Sequence, residues 1–348
     1  MKICLLGDTH FGVRNDSKSF HRYFEKFYDI FFDYIEKNNI KYIIQLGDLF
    51  DRRKYINFLT LSESKKYFFD RIENKGIKLI TLLGNHDIFW KESLSVNSPE
   101  LLLQSYKHID IIQNPTTKSF GGVSIDIIPW LCKENEQEVF EFVKNSEAKI
   151  CIGHFELSGF EMMKGVPNHD GIDCKFLSNY DYVYSGHFHT ASSKGNIRYL
   201  GTPYELTWAD YNDPKGFYIL DLNTKEIEFI KNSLVMFDKI YYDDTKDDKI
   251  DTSKYEEKFV KVIVVNKTNF KKFDTLIDNL YKNNPNEIKV IEDLSEFESS
   301  TIDESINLED TMTLLSEYVD GLETDADKTR LKTILRELYV EAHDYEET

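Results

Sequence analysis

Through the first 190 residues, short apolar runs alternate with longer stretches in which apolar positions recur every three or four residues. The short runs are 2–6, 42–46, 78–83, 124–129, 149–152 and 182–184. They are apolar at successive positions rather than alternate ones, which predicts strands covered on both faces. Helices are predicted at 18–38 and 58–75, the second stopping at Asn74-Lys75-Gly76. A hairpin is expected over 109–129 with Gly121-Gly122 at its turn, and further strands at 197–200, 216–222 and 226–231.

The pattern changes after residue 236. The stretch 237–258, with its run Asp243-Asp244-Thr245-Lys246-Asp247-Asp248, reads as an acidic linker. A small α+β unit follows at 259–293, built as strand, helix, strand, and then a second acidic, Ser-rich linker at 294–306. The segment 307–348 predicts two amphipathic helices. The first carries Leu308, Met312, Leu315 and Val319; the second carries Leu331, Leu335 and Leu338. The expected organisation is therefore an α/β domain over 1–236, a small cap, and C-terminal helices.

Charge sharpens this division. The chain of 348 residues carries a formal −18. Residues 233–348 hold 15 basic and 29 acidic side chains, whereas residues 1–232 hold 28 and 32. The acid thus belongs to the last third, and the first two-thirds are close to neutral. The overall balance argues against a protein that grips nucleic acid tightly by itself. Hydrophobic residues at 41% exclude a mostly disordered chain. No run is long enough for a membrane helix, and the N-terminus turns acidic too soon for a signal peptide. Cys4, Cys132, Cys151 and Cys174 form no CxxC pair and read as reduced thiols, which fits a cytoplasmic location.

The candidate chemistry lies where the apolar runs end. These ends are Gly7-Asp8-Thr9-His10, Gly47-Asp48-Leu49-Phe50-Asp51, Gly84-Asn85-His86-Asp87, Gly153-His154 and Gly186-His187-Phe188-His189. Each is weak alone, but five of the nine histidines fall in these five motifs, and each of these histidines follows a glycine closely. In open α/β sheets, ligands bind beyond the carboxyl ends of the strands. Asp8, His10, Asp48, Asn85, His154, His187 and His189 form a mixed oxygen and imidazole donor set without thiolate. That set suits Mn²⁺, Fe²⁺ or Zn²⁺ better than Mg²⁺ or Ca²⁺. Seven donors suit two divalent ions sharing one carboxylate, an arrangement fitted to in-line hydrolysis of phosphoesters.

The order DxH, GDxxD, GNHD, GH, GHxH resembles the calcineurin-like metallophosphoesterase superfamily. Gly47-Asp48-Leu49-Phe50-Asp51, followed by Arg52-Arg53 rather than Arg-Gly, resembles its SbcD-type nucleases. Ile127-Ile128-Pro129-Trp130, Arg198-Tyr199-Leu200-Gly201-Thr202-Pro203 and Asp213-Pro214-Lys215-Gly216-Phe217 resemble the phage branch of that group, the recombination nucleases of T-even bacteriophages. Asp8-Thr9-His10-Phe11-Gly12 departs from the family's DxHLG only at Phe11. The resemblance implies a two-sheet metallophosphoesterase sandwich flanked by helices. It implies that Asp8, His10 and His189 hold one metal, that Asn85, His154 and His187 hold the other, and that Asp48 bridges them. Mn²⁺ is the first expectation for both, with Mg²⁺, Fe²⁺ or Zn²⁺ as alternatives. His86 would be catalytic rather than a ligand, with Asp51 orienting it or else serving as a loop residue.

The same resemblance implies a DNA exonuclease or endonuclease subunit working in DNA repair, recombination and replication. Its partner would be an SbcC-type coiled-coil ATPase, docked on the C-terminal helices. A nuclease homodimer is also expected, with the aromatic-rich helix 18–38 as its candidate interface. Arg14, Arg52, Arg53 and Lys54 follow the metal strands closely and are candidates to face DNA phosphates. The competing readings are a phosphomonoesterase or small-phosphodiester hydrolase of the same superfamily, and a scaffold without activity. If the chain is viral, its compartment is the host cytoplasm.

Overall fold

The computed structural model describes residues 1–163, 166–169, 171–246 and 249–292, together with 319, 328 and 330–334. The apolar runs form the centres of two six-stranded sheets. Edge to edge, the first sheet runs Ile227–Lys231, Gly216–Asp221, Lys2–Leu6, Tyr42–Gln45, Lys78–Leu82, Ile109–Ile112. Its last four strands are mutually parallel, and the first two pair antiparallel. The second sheet runs Ser192–Lys194, Ile197–Tyr199, Tyr182–Gly186, Ile150–His154, Val123–Ile128, Thr116–Phe120. It too has parallel strands at its centre and antiparallel edges.

Period-two alternation explains why these strands are apolar throughout. Ile3, Leu5, Ile44, Leu46, Ile80 and Leu82 pack with Ile125, Ile127, Ile150 and Ile152 in one core drawn from both sheets. The intervening residues Cys4, Leu6, Ile43 and Leu79 join a second core with the helix Lys18–Lys37. On the second sheet, Cys151, Val183, Ile197 and Tyr199 pack with Val139 and Val143 of the helix Glu136–Asn145. The result is a two-sheet sandwich flanked by helices. All four cysteines are unpaired.

The helix-side core of the first sheet is largely aromatic. Phe20, Tyr23, Phe24, Phe27, Tyr28, Phe31 and Phe32 are all buried within the chain. The helix Lys18–Lys37 therefore offers none of these rings to a second copy, so its aromatic content, which suggested an interface, is accounted for by the chain's own core. The helical stretch at 58–75 is interrupted by a π-helical turn, Lys65–Phe69, which lets the consecutive rings Tyr67, Phe68 and Phe69 all bury. Gly76 ends it at φ 61°. Phe11, the departure from the family pattern, packs among Phe24, Tyr28, Phe50, Tyr67, Phe68 and Phe69.

Two expectations about connections change. The hairpin expected at 109–129 is split between the sheets. Ile109–Ile112 joins the first, and only Thr116–Phe120 and Val123–Ile128 form the hairpin, turning at Gly121-Gly122. The stretch 237–258 is not simply a linker. It contains the strand Phe237–Asp243 and a helical turn, Thr252–Tyr255. Burial of Phe237, Ile240, Tyr242 and Tyr255 outweighs the acidic residues around them.

The chain divides into two units, Met1–Asp238 with Tyr255–Phe259, and Lys239–Lys254 with the residues from Val260 onward. Phe237–Asp243, Phe259–Asn266 and Glu287–Ile291 form a separate three-stranded sheet in that order. In the second unit the helix Phe270–Lys282, capped by Asn269, buries Phe273, Leu276 and Leu280. Val319 is buried in a helical residue, and Leu331 is half-buried in the helix at 330–334. Leu308, Met312, Leu315, Leu335, Leu338 and the linker 294–306 lie outside the described residues. No helix among the described residues is long and apolar enough to cross a membrane.

Phe24 is fully buried and stacks on Tyr204 at 4.1 Å between ring centroids. Phe24→Ala should lower unfolding free energy by about 3–5 kcal/mol. Urea denaturation should show this as a shifted midpoint with an unchanged slope.

Candidate metal centre

The carboxyl ends of five strands, three from the first sheet and two from the second, bring the sequence motifs together. Tight backbone crossings allow it. A Cβ on Gly84 would fall 2.3 Å from the Asp48 amide nitrogen, and one on Gly186 would fall 2.5 Å from the Leu46 carbonyl oxygen. Three of the expected ligands sit in the left-handed backbone region: His10 at φ 43°, Asp48 at φ 51° and His187 at φ 90°. Such residues cost about 1–3 kcal/mol each and persist where surrounding contacts over-determine them.

Three donor groups result. Asp8, His10 and His189 form one; Asp48, His154 and His187 form another; His10 also groups with Asp51 and His86. In the first, His10 Nε2 faces His189 Nε2 at 3.0 Å. In the second, Asn85 Oδ1 lies 3.0 Å from both His154 Nε2 and His187 Nδ1. Asp48 Oδ2 stands between the clusters, 3.7 Å from His10 Nε2 and 3.4 Å from His154 Nε2. Metal donors bound at about 2.0–2.2 Å lie about 3.0–3.5 Å from one another, so these spacings fit divalent cations. Asp8 Oδ1 is buried without a hydrogen-bond partner, as a ligand oxygen would be.

Neighbouring groups aim the donors. The Leu46 carbonyl lies 2.7 Å from His154 Nδ1, which fixes the N–H there and presents Nε2 to the site. The His187 amide donates to Asp8 Oδ2, and the His86 amide donates to Asp48 Oδ1. Asn85 has two meaningful orientations. With Oδ1 toward His154 and His187 it offers a carbonyl to a cation. Turned over, its amide donates to both histidines and to Asp48, while Oδ1 accepts from Arg53 at 3.1 Å.

Electrostatics carry the same demand for positive charge. Burial pushes the Asp8 carboxyl up to about 7, partly offset by His154 and His10. Against burial, the histidines around Asp48 hold its carboxyl well below the usual range. Against burial again, Asp51 and Asp48 raise His10 to about 9, and Asp48 and Asp8 raise His154 to about 9. Burial lowers His187, and burial with the adjacent His10 lowers His189 to about 3. Cations entering this cluster would displace protons from it.

The structure separates the roles of the acidic residues around the donors. The Asp51 carboxylate lies 3.2 Å from His10 Nδ1, not on the His86 ring. It is the Asp51 backbone carbonyl that meets His86 Nδ1, at 2.5 Å. Asp51 thus meets His86 through its main chain and His10 through its side chain, and all three residues lie close together. Asp87 accepts from the amides of Leu49, Phe50 and Gly84, tying two motif loops together.

The expected DNA contacts also divide. Arg52 is held by Asp16, Asn15 and Tyr55, and Arg14 lies over the rings of Phe237 and Phe259. Both are engaged within the chain. Arg53 is beside Asn85, and Lys54 is exposed. One residue, quoted above only as part of the resemblance, was given no role by the sequence. Lys215 is buried, and its Nζ donates to the His189 carbonyl at 2.8 Å while pairing with Asp210 at 2.6 Å and Asp213 at 2.9 Å. Beyond the resemblance of Asp213-Pro214-Lys215-Gly216-Phe217, the signal was a lysine set among acids just before an apolar strand, which reads as surface until the fold buries it.

The calcineurin-like phosphoesterase family matches residues 1–191. Exonuclease subunit 1 of Enterobacteria phage T4 is 36% identical over 345 residues, covering 98% of this chain and 99% of that protein. The SbcD component of the SbcCD nuclease of Staphylococcus epidermidis is 24% identical over 263 residues, covering 65% of this chain and 67% of that protein. DNA double-strand break repair protein Mre11 of Nanoarchaeum equitans is 22% identical over 260 residues, covering 60% of this chain and 68% of that protein.

Lys215→Met should leave the buried Asp210 and the half-buried Asp213 without their cation. The expected loss is about 3–5 kcal/mol of unfolding free energy, measured by urea denaturation.

Proposed function

The chain belongs to the calcineurin-like phosphoesterase family, and on that premise we propose that it is a Mn²⁺-dependent DNA nuclease. It would be the catalytic subunit of an ATPase–nuclease complex serving double-strand-break repair, recombination and recombination-dependent replication, with exonuclease and endonuclease activity. The observation that carries the reading is the shared Asp48 oxygen between two clusters of facing donors. Mixed oxygen and imidazole donors suit Mn²⁺, Fe²⁺ or Zn²⁺, and the choice of Mn²⁺ among them rests on the family resemblance. The names of the relatives, two of them components of nucleases and one a DNA-break repair protein, support the substrate and a multi-subunit assembly.

Asp8, His10, His189 and Asp48 would hold one ion, and Asn85, His154, His187 and Asp48 the other. Bound there, the pair would supply a low-pKa water and neutralise charge on the phosphodiester. The chain's own residues do the rest. His86, its Nδ1 on the Asp51 carbonyl, keeps Nε2 for hydrogen bonding to the phosphate or protonating the leaving oxygen. Asp51 keeps His10 from rotating, and Lys215 anchors the main chain of His189. Arg53 and Lys54 remain as contacts for DNA phosphates. The acidic balance of the chain assigns much of the DNA affinity to a partner, for which the SbcC-type ATPase is the candidate and the helices within 307–348 the docking element.

Purified protein with Mn²⁺ should cleave linear or single-stranded DNA. Cleavage of a chromogenic phosphomonoester alone would overturn the nuclease reading. His86→Ala should retain two metal ions per chain by elemental analysis, with hydrolysis lowered about 10²–10⁴-fold. Loss of metal would reassign His86 as a ligand. Removal of residues 308–348 should abolish capture of the ATPase partner while sparing cleavage of simple substrates; retained capture would move the docking surface elsewhere.

A further inference from the structure

His86 is followed at once by a β-hairpin, Ile88–Trp90 paired with Ser93–Asn97. The hairpin is anchored by Ile88 and Leu94, which bury with Leu83 and Cys132, and Trp130 packs on the same cluster. Trp130 in turn lies against the second donor cluster, with ring centroids 5.1 Å from His187 and 5.8 Å from His154. The hairpin is thus joined to the metal centre both along the chain and through packed side chains.

Its outward face carries two large rings. Regular alternation would turn Trp90 to the same side as the buried Ile88. The register shifts between these residues, and Phe89 and Trp90 are 37% and 53% exposed. Bulges near active sites commonly re-aim a side chain in this way. The two rings meet edge to face at 4.9 Å, so the pair is organised without a ligand. Exposing two adjacent aromatics loses the gain of burying them, and nothing in the hairpin's own packing requires it.

We propose that the Phe89–Trp90 hairpin is a stacking platform for unpaired bases of a nucleic-acid strand whose phosphodiester lies at the metal centre. This rests on the nuclease reading above and deepens it to a strand preference. Bases in a duplex have their faces covered, whereas a single strand offers a π-face at every nucleotide. Basic groups lie at the metal centre and in the hairpin. Arg53 lies beside Asn85, Lys54 follows it and is exposed, and Lys91 is exposed in the hairpin turn, next to an exposed Glu92. Basic groups tracking phosphates beside rings that accept bases are the usual composition of a single-strand groove. The platform would hold a melted end or an unpaired flap, and would favour such substrates over paired ends.

The test uses the full chain and a labelled 15-nucleotide oligo(dT), bound in EDTA so that no cleavage intervenes. A second probe of equal length and charge has abasic sites in place of bases, and a third is fully paired. Wild type should prefer oligo(dT) to the abasic probe. Trp90→Ala should weaken oligo(dT) binding about 5- to 150-fold, the range for loss of one stacked base, and should erase the preference over the abasic probe. Trp90→Phe should retain most of the affinity. Equal binding of wild type to the oligo(dT) and abasic probes would overturn the platform, and that arm needs no variant to fold. So would unchanged oligo(dT) affinity in Trp90→Ala with a native circular-dichroism spectrum. Cleavage by wild type in Mn²⁺, run beside these, reports on the nuclease reading independently. If DNA is cut but bases make no difference to binding, the platform fails and the nuclease stands.

Discussion

Everything else in this protein depends on holding donors that repel one another in one small, buried place. Asp8, Asp48, Asp51 and five imidazoles converge there, with nitrogens and oxygens facing each other at hydrogen-bond distance. Such an arrangement is unfavourable unless a positive charge enters or a rigid frame enforces it. The donors fit divalent cations, and the frame is strong enough to keep His10, Asp48 and His187 in left-handed backbone conformations.

The frame has three parts. The sandwich supplies the strand ends, because parallel strands deliver all their carboxyl termini to one side. The aromatic core beneath the helix Lys18–Lys37 supplies stiffness. Tyr204, stacked on Phe24, donates from its hydroxyl to the Thr9 carbonyl, between Asp8 and His10. Phe11, directly after His10, is wedged among rings of that core. Buried polar ties supply the rest. Asp87 fastens the Gly84 loop to the Leu49-Phe50 loop, and Lys215 fastens the His189 main chain to Asp210. The geometry of the donor cluster is therefore maintained by residues outside it.

Much of this was legible because the relevant signals are local. A strand covered on both faces is apolar at every position, so the central strands were readable one by one. Glycine followed by Asp, Asn or His marks a strand end where backbones cross closely. The errors came where a signal was not local. Acidic residues made 237–258 read as a linker, although Phe237, Ile240 and Tyr242 bury in a strand. The rings of the helix Lys18–Lys37 read as interface material because no sequence pattern distinguishes a ring facing a partner from one facing the chain's own sheet.

What the sequence determined by itself was the inventory and order of the chemistry: an α/β chain and a donor set suited to two cations. Residue type and spacing carry that information, because ligand chemistry and strand periodicity are properties of single residues and their near neighbours. Only the tertiary structure decided how the side chains are shared out. It sent the Asp51 carboxylate to His10 and its carbonyl to His86, engaged Arg14 and Arg52 within the chain, brought Lys215 under His189, and turned Phe89 and Trp90 outward beside the site. These pairings join residues far apart in the chain, or hang on a single register shift, and their energies depend on burial and distance that exist only once the sheets have packed.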